Sequence, residues 1–375
     1  MRIAVPKEIR DGEKRVALVP DIINKLTRLG YEVSIESGAG NHSQATDEDF
    51  KSAGASIVNG DVLKDADVVL SVSSLTPTQM SSLKKGAITI SFLSPVTAVD
   101  SIDAAASAGV TAFSLELVPR ISRAQSMDAL TSQALCAGYR AVLVGAEMSP
   151  RFFPLLMTAA GTVTPAQVLV LGAGVAGLQA IATARRLGAV VSAYDVRPSS
   201  ADEVKSMGAT FIDLELEALE GAGGYAREMT PERAAKQREL LTPYIAKSHV
   251  VITTAAVPGR KAPQLMTQAM VDAMGPGTII VDLAAETGGN VEGSKPGEVV
   301  VTKNGVRIWG GKDVPSQLPF HASSLYSRNV VNLLTLLTKP AAEGSALALN
   351  LDFDDEIING SAVTHAGAKR NGGAK

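Results

Sequence analysis

The sequence predicts an α/β protein of two Rossmann-like parallel-sheet domains with a cofactor cleft between them. Three observations lead there. Short apolar strands alternate with amphipathic helical stretches along most of the chain. One strand runs directly into a complete G-x-G-x-x-G turn. A length of 375 residues, 46% of them hydrophobic, suits two cores rather than one.

The elements follow in order. Residues 2–5 read as a strand. Pro20 opens a helix, with Ile22, Ile23, Leu26 and Leu29 at helical spacing and Gly30 as its stop. Residues 31–35 alternate as a strand. The cycle continues with a strand over 66–72, a helix over 78–85, a strand over 87–92, a helix over 96–108 and a strand over 110–115. Residues 127–148 predict a long helix that carries the chain into a second domain. There the rhythm restarts, with strands over 167–171 and 190–194 around a helix over 175–187. Further strands follow over 250–253, 278–281 and 306–309.

Two places break this rhythm. Glycine density over 221–225 predicts a mobile loop, followed by a charged stretch over 227–238. The small, polar end over 366–375 predicts a disordered tail. Residues 330–337 read as a buried helix returning to the first domain. The expected division is therefore 1–128 plus 315–375 for the N-terminal domain and 129–314 for the second, Rossmann-like domain.

Composition excludes several function classes. Thirty-five basic residues against 38 acidic ones leave a net charge of −3, so neither a nucleic-acid stripe nor a polybasic membrane patch is expected. The single cysteine, Cys136, makes no intrachain disulfide or thiolate metal cluster and suits a reducing compartment. The N-terminus meets charge too early for a secretory signal. Residues 152–184 carry no charge, but Pro154, Pro165 and four glycines break them, so no membrane span is expected. The histidines (His42, His249, His321, His365) sit in no triad or H-x-x-x-H spacing, and no metal site is expected.

The strongest chemical signal is Gly172-Ala173-Gly174-Val175-Ala176-Gly177 after an apolar strand. Gly172 permits the tight turn, Gly174 lets the backbone approach a pyrophosphate, and Gly177 allows close helix–strand packing. Asp195 follows 18 residues after Gly177, at the end of the next strand. A carboxylate there accepts from both adenosine-ribose hydroxyls and repels a 2′-phosphate, favouring NAD over NADP. Arg197, two residues on, pulls the other way. A second constellation, over 120–128, packs Arg120, Ser122, Arg123, Gln125, Ser126 and Asp128 just before the connecting helix. It reads either as a carboxamide and ribose site or as a solvated loop with a helix cap. A third, over 282–290, places Asp282 and Glu286 to face the ligand crevice or to cap a turn. A fourth, with Lys7, Glu8, Arg10, Glu13 and Arg15, reads more readily as surface salt bridges than as an anion clamp.

These residues, with Pro6-Lys7-Glu8, Arg15-Val16-Ala17, the 119–128 run, the 158–162 run and the 223–228 run, resemble the NAD(H)-binding component of the proton-translocating nicotinamide nucleotide transhydrogenases. Alanine dehydrogenase is the related alternative. The resemblance implies that Arg120, Gln125 and Asp128 act on the nicotinamide and its ribose, with Ile121, Ser122, Arg123 and Thr131 in the same cofactor site. It implies further NAD contacts at Gly172, Gly174, Val175, Gly177, Asp195, Val196, Arg197, Ala255 and Val257. Gly224 and Tyr225 would belong to the mobile loop that folds over the nucleotide. It implies hydride passing directly from NADH here to NADP(H) on a partner component. It also implies a homodimer and a membrane-spanning proton-channel component, with this chain cytoplasmic and peripheral to the inner membrane. Alanine dehydrogenases use a lysine and a histidine where this sequence has Ser73 and Ser94. Reductive amination needs a proton donor, whereas direct hydride transfer needs none.

Overall fold

The computed structural model describes residues 1–216, 229–256, 259–340 and 347–370. The chain divides into two compact units, Met1–Gln133 with Ser316–Lys375, and Ala134–Pro315.

The first unit contains β1 (Arg2–Val5), α1 (Pro20–Arg28), β2 (Glu32–Glu36), α2 (Asp47–Ser52), β3 (Ser56–Val58), β4 (Val68–Ser73), α3 (Pro77–Ser82), β5 (Ile88–Phe92), α4 (Val99–Ser107) and β6 (Thr111–Ser114). Local chemistry sets the helix ends. Pro20 and Asp21 start α1, and Lys25 and Arg28 close it against the negative end of its dipole. Thr46 with Asp49 and Thr76 with Gln79 form reciprocal capping boxes on α2 and α3. The six strands are all parallel, in the order β3-β2-β1-β4-β5-β6. That doubly wound order reverses between β1 and β4, the place where such sheets bind ligands.

α5 (Ala129–Met148) leads into the second unit. There β7 (Leu156–Thr158) and β8 (Gly161–Val163) form an exposed hairpin. β9 (Gln167–Leu171), α6 (Val175–Arg186), β10 (Val190–Tyr194), α7 (Ser200–Ser206), β11 (Thr210–Phe211), α8 (Pro231–Lys247), β12 (Val250–Thr253), α9 (Gln268–Asp272), β13 (Ile279–Asp282), β14 (Val299–Val301) and β15 (Arg307–Gly310) follow. The sheet order is β11-β10-β9-β12-β13-β15-β14, with β14 antiparallel at the edge. Val168, Leu169, Val170 and Leu171 of β9 are all buried, as expected of a central parallel strand covered on both faces.

The chain then returns to the first unit with α10 (Pro319–Leu336), β16 (Thr338–Pro340), β17 (Leu347–Leu349), α11 (Glu356–Ser361), β18 (Thr364–His365) and β19 (Ala368–Lys369). Tyr326, Val330, Leu333 and Leu334 of α10 enter the same buried cluster as Ile3, Ile23 and Ile35.

The structure corrects several expectations. The long helix begins at Ala129 rather than residue 127, because 122–127 form a separate 3-10 turn. Much of the charged stretch is helical: Thr230 caps α8, and its Gln237, Leu241 and Ile245 form a buried stripe at four-residue spacing. The tail is ordered as far as the described residues reach, with β18 pairing β19 and His365 Nδ1 3.0 Å from Thr111 Oγ1. Among the described residues, no helix is long and apolar enough to cross a membrane, and no His, Cys, Asp and Glu cluster suits a metal ion.

Candidate functional site

In the second unit, β9 delivers the glycine-rich turn. Gly172 adopts φ 103°, its N–H donates to Tyr194 O at 2.8 Å, and its carbonyl accepts from Thr254 Oγ1 at 3.0 Å. Gly174 caps α6 from outside, and a Cβ there would meet nothing within 4 Å. A Cβ on Gly177 would instead overlap the Gly172 carbonyl. The three glycines thus divide the work as the motif requires: a left-handed turn, an open face, and a close packing contact. The open face lies at the positive end of the twelve-residue α6, where a pyrophosphate is favoured. These residues fit an NAD pyrophosphate.

Asp195 stands beside this turn and is already engaged. One oxygen accepts from Ala173 N–H at 2.7 Å, and Arg197 donates from Nε and Nη2 at 2.9 Å each. Arg197 N–H adds a further 2.9 Å bond, so four donors occupy the carboxylate and a ribose hydroxyl would take the place of an Arg197 bond. The adjacent guanidinium explains how an acid and a base coexist in this pocket: each holds the other. Val196 lies between them. Ala255, next to the turn, is fixed from behind, since Asn290 Nδ2 donates to Ala255 O and Pro263 O at 2.8 Å.

The third constellation is structural. Asp282 is fully buried and accepts from Thr253 Oγ1, Ala284 N, Asn290 N and Val291 N, closing the loop after β13. Glu286 accepts from Asp313 N at 3.0 Å. Sequence reasoning did not single out Thr254 and Asn290, because their partners lie on separate strands and loops.

In the first unit, the 120–128 run forms a 3-10 turn over Ser122–Met127. Ala124 and Met127, three apart, point into the core, so Ser122, Arg123, Gln125 and Ser126 face outward. Arg120 is also exposed, and Ile121 packs against the core. Asp128 accepts from Thr131 N–H at 2.9 Å and Thr131 Oγ1–H at 2.7 Å, starting α5. Arg123 makes a two-pronged pair with Asp355 at 2.6 and 3.1 Å. Asp355 itself caps α11 through Ile357 and Ile358 N–H. No local pattern flagged Asp355, 232 positions downstream. Gly224, Tyr225 and Val257 lie outside the described residues.

Of the N-terminal charges, Glu13 and Arg15 form a buried pair, Glu8 is half-buried, and Lys7 and Arg10 are exposed. Glu13 and Arg15 are 6% and 8% exposed. Glu13 accepts from Arg15 Nε and Nη2 at 2.7 Å each and from Ser316 Oγ at 2.5 Å, and Arg10 adds a 2.9 Å pair. Burial alone would raise the Glu13 carboxyl, but the bonds and charge of Arg15 outweigh it and hold it at about 2. Glu8 accepts from Val72 and Ser73 N–H at the end of β4. Burial dominates there and pushes its carboxyl up to about 7. Ser73 Oγ also accepts from Arg10 Nε at 3.2 Å. Ser94, at φ 52°, donates its N–H to Glu116 at 2.9 Å.

Residues 4–137 match the family model described as alanine dehydrogenase/PNT, N-terminal domain, and residues 141–372 match its C-terminal domain. An NAD(P) transhydrogenase subunit alpha chain of Rhodospirillum rubrum is 46% identical over 98% of this chain and 97% of its own. The crystal structure of transhydrogenase from Sinorhizobium meliloti superposes with a TM-score of 0.85 at 42% identity, covering 98% of both chains. The alanine dehydrogenase of Mycolicibacterium smegmatis is 33% identical over 79% of this chain and 76% of its own.

Proposed function

The chain belongs to the alanine dehydrogenase/PNT family and shares 46% identity over nearly its full length with a transhydrogenase alpha chain, and from that premise we propose that it is the NAD(H)-binding component of a proton-translocating NAD(P) transhydrogenase. It holds NADH while hydride passes directly to NADP⁺ on a partner component. Proton movement then belongs to a membrane-spanning component, against which this chain sits on the cytoplasmic side. Coupling is a free energy exchanged between subunits.

One observation carries the choice over amino-acid dehydrogenation. The positions that would hold its lysine and histidine are Ser73 and Ser94, both tied to carboxylates, and Arg15 is spent on Glu13. Reductive amination moves protons as well as hydride. Bound NADH supplies the hydride itself. This chain supplies the turn at 172–177 and Asp195 for the adenosine half, and Arg120, Gln125 and Asp128 for the nicotinamide half. Their task is placement, because transfer needs two reacting carbons roughly 3–3.5 Å apart.

A paired assay tests this. With NADH, pyruvate and ammonium the chain should leave NADH unchanged. With NADH, NADP⁺ and the NADP-binding component it should form NADPH. Consumption of NADH in the first mixture overturns the assignment.

Two variants probe the two halves of the site. Gln125→Asn should slow single-turnover transfer about tenfold or more while NADH affinity stays within a factor of about three. Equal losses in rate and affinity would make Gln125 a simple binding residue. Asp195→Ala should weaken NADH binding about tenfold and release Arg197 for a 2′-phosphate, so NADPH discrimination falls. An unchanged affinity ratio removes Asp195 from the ribose assignment.

The proposed homodimer finds support in the β7–β8 hairpin, which exposes Leu155, Leu156, Met157 (78%) and Val163. An isolated hairpin is marginal in water, and its apolar strands call for cover. Met157→Lys should convert a dimer to a monomer in analytical ultracentrifugation. A dimer of unchanged affinity assigns self-association elsewhere.

A further inference from the structure

A polar line runs through the first unit and ends on the 120–128 turn. It begins at the buried Glu13–Arg15 pair. Arg15 Nη1 donates to Gln133 Oε1 at 2.9 Å, Gln133 Nε2 donates to Ser132 Oγ at 3.1 Å, and Ser132 Oγ–H donates to Asn329 Oδ1 at 2.7 Å. Asn329 Nδ2 then donates to the carbonyl of Ser126 at 2.9 Å. A second amide from α10, Asn332 Nδ2, reaches the same carbonyl at 3.0 Å. Gln133 is further tied to α10 through Ala322 O at 3.1 Å.

The line has one direction. A guanidinium cannot accept, so Gln133 must turn its oxygen to Arg15 and its nitrogen to Ser132. The single hydroxyl proton of Ser132 then goes to Asn329 Oδ1, the shorter of its two acceptors, the other being Ala129 O at 3.1 Å. Asn329 is thereby left with its nitrogen facing Ser126. No amide in the line is free to flip, and each bond polarises the next. Gln133 and Asn329 are 5% and 7% exposed, so water competes poorly for these bonds.

The Ser126 carbonyl is a consequential place to hold. It lies between Gln125 and Asp128, on the exposed side of a turn whose inner face is pinned by Ala124 and Met127. Core packing fixes the depth of the turn. Rotation about the line through those two anchors is limited at Arg123 by its pair with Asp355, and at Ser126, next to Gln125, by the paired amides of Asn329 and Asn332.

We infer that Asn329 is a positioning residue for hydride transfer, oriented by Arg15, Gln133 and Ser132 and aided by Asn332, which sets the angle at which the Gln125–Asp128 segment meets the nicotinamide. The inference rests on the reading that this segment handles the nicotinamide. It gives the surviving Arg15 a role with no keto acid: its charge sets the polarity of the line that orients the turn.

The test uses the full chain reconstituted with the NADP-binding component, with three readouts: single-turnover transfer at saturating NADH, NADH Kd, and melting temperature. Asn329→Asp keeps the size and the acceptor for Ser132 but loses the donor to Ser126. Transfer should fall about tenfold with Kd within a factor of about three. Asn332→Ala removes one partly exposed donor and should slow transfer about threefold with an unchanged melting temperature. Ser132→Ala should slow transfer by a similar factor, and Ser132→Thr, which restores the hydroxyl, should return it to within about twofold of wild type. Wild-type rates in Asn329→Asp and Asn332→Ala, with Gln125→Asn still slow, overturn the positioning role and leave the nicotinamide reading standing. A wild-type rate in Gln125→Asn itself removes that reading and this inference together. Rate and affinity falling in parallel in Asn329→Asp would reduce the line to support for binding and overturn the inference as well.

Discussion

Gly177→Ala should abolish NADH binding by unfolding its site, and Gly174→Ala should abolish it while leaving the fold intact. The added methyl at 177 would run into the carbonyl of Gly172, a backbone atom with no rotamer to escape into. The helix α6 must then lift from β9, or the turn must open and lose the bond from Thr254 to Gly172 O. Either outcome disturbs a core containing Val168, Val170, Ala180 and Ala184, at a cost of about 3 kcal/mol or more. At Gly174 the methyl enters empty space, so melting should hardly change. It would stand where the phosphates approach, and NADH affinity should fall at least about a hundredfold. Calorimetric melting and NADH titration together separate the two. A Gly177→Ala protein that melts like wild type would refute the packing role.

Arg15→Met should destabilise the first unit by about 3–5 kcal/mol, the usual cost of leaving one member of a buried pair without its partner. The pH dependence should change as well. Glu13 sits at about 2 against an ordinary 4.5, so the native state favours its ionised form. That stability is fully present above pH 4.5 and is lost as pH falls through about 2. At about 1.4 kcal/mol per pH unit it amounts to about 3 kcal/mol. In Arg15→Met the half-exposed Arg10 pair and the Ser316 bond remain to oppose burial, and the Glu13 carboxyl should rise. Acid destabilisation should then begin at higher pH than in wild type. Glu8, raised to about 7, acts in the opposite sense: its contribution is present below pH 4.5 and is lost as pH rises through 7. Its burial and its bonds from Val72 and Ser73 are common to both proteins, while the nearby Glu13 charge adds to its rise, so the difference between their urea stabilities across about pH 3–8 reports Glu13 together with its effect on Glu8. Curves that stay parallel over that range would show that Arg15 does not hold Glu13 down.

The sheet strands and the glycine-rich turn were legible because their signals are local. An apolar run such as 168–171 and a glycine triplet declare themselves within about ten residues. α8 was harder: its buried stripe is a single line of three residues, one of them the polar Gln237, and charges are frequent on the rest. The start of α5 slipped by two residues because Asp128 caps it through Thr131, and a carboxylate proposed for a ligand reads the same as a cap in sequence. What sequence does not carry is pairing across distance. Arg123 has the look of a ligand residue until Asp355 is seen to hold it, and Asp282 that of a crevice acid until four donors are seen around it. The Asn329 line joins residues from separated stretches of the chain, none of them unusual alone.

The way the first unit is assembled also sets a timetable. Its sheet lies within the first 114 residues, yet Tyr326, Val330, Leu333 and Leu334, which complete its core, come from α10. The second unit is one continuous stretch, Ala134–Pro315. On the ribosome, then, the later-starting unit finishes first. The sheet made before it must wait for roughly two hundred further residues before its buried face is covered. At about 5–20 residues per second that is on the order of ten to forty seconds of exposed apolar surface. The opening third of the chain is therefore the part with most need of chaperone protection during synthesis, and the nucleotide-binding unit the part with least.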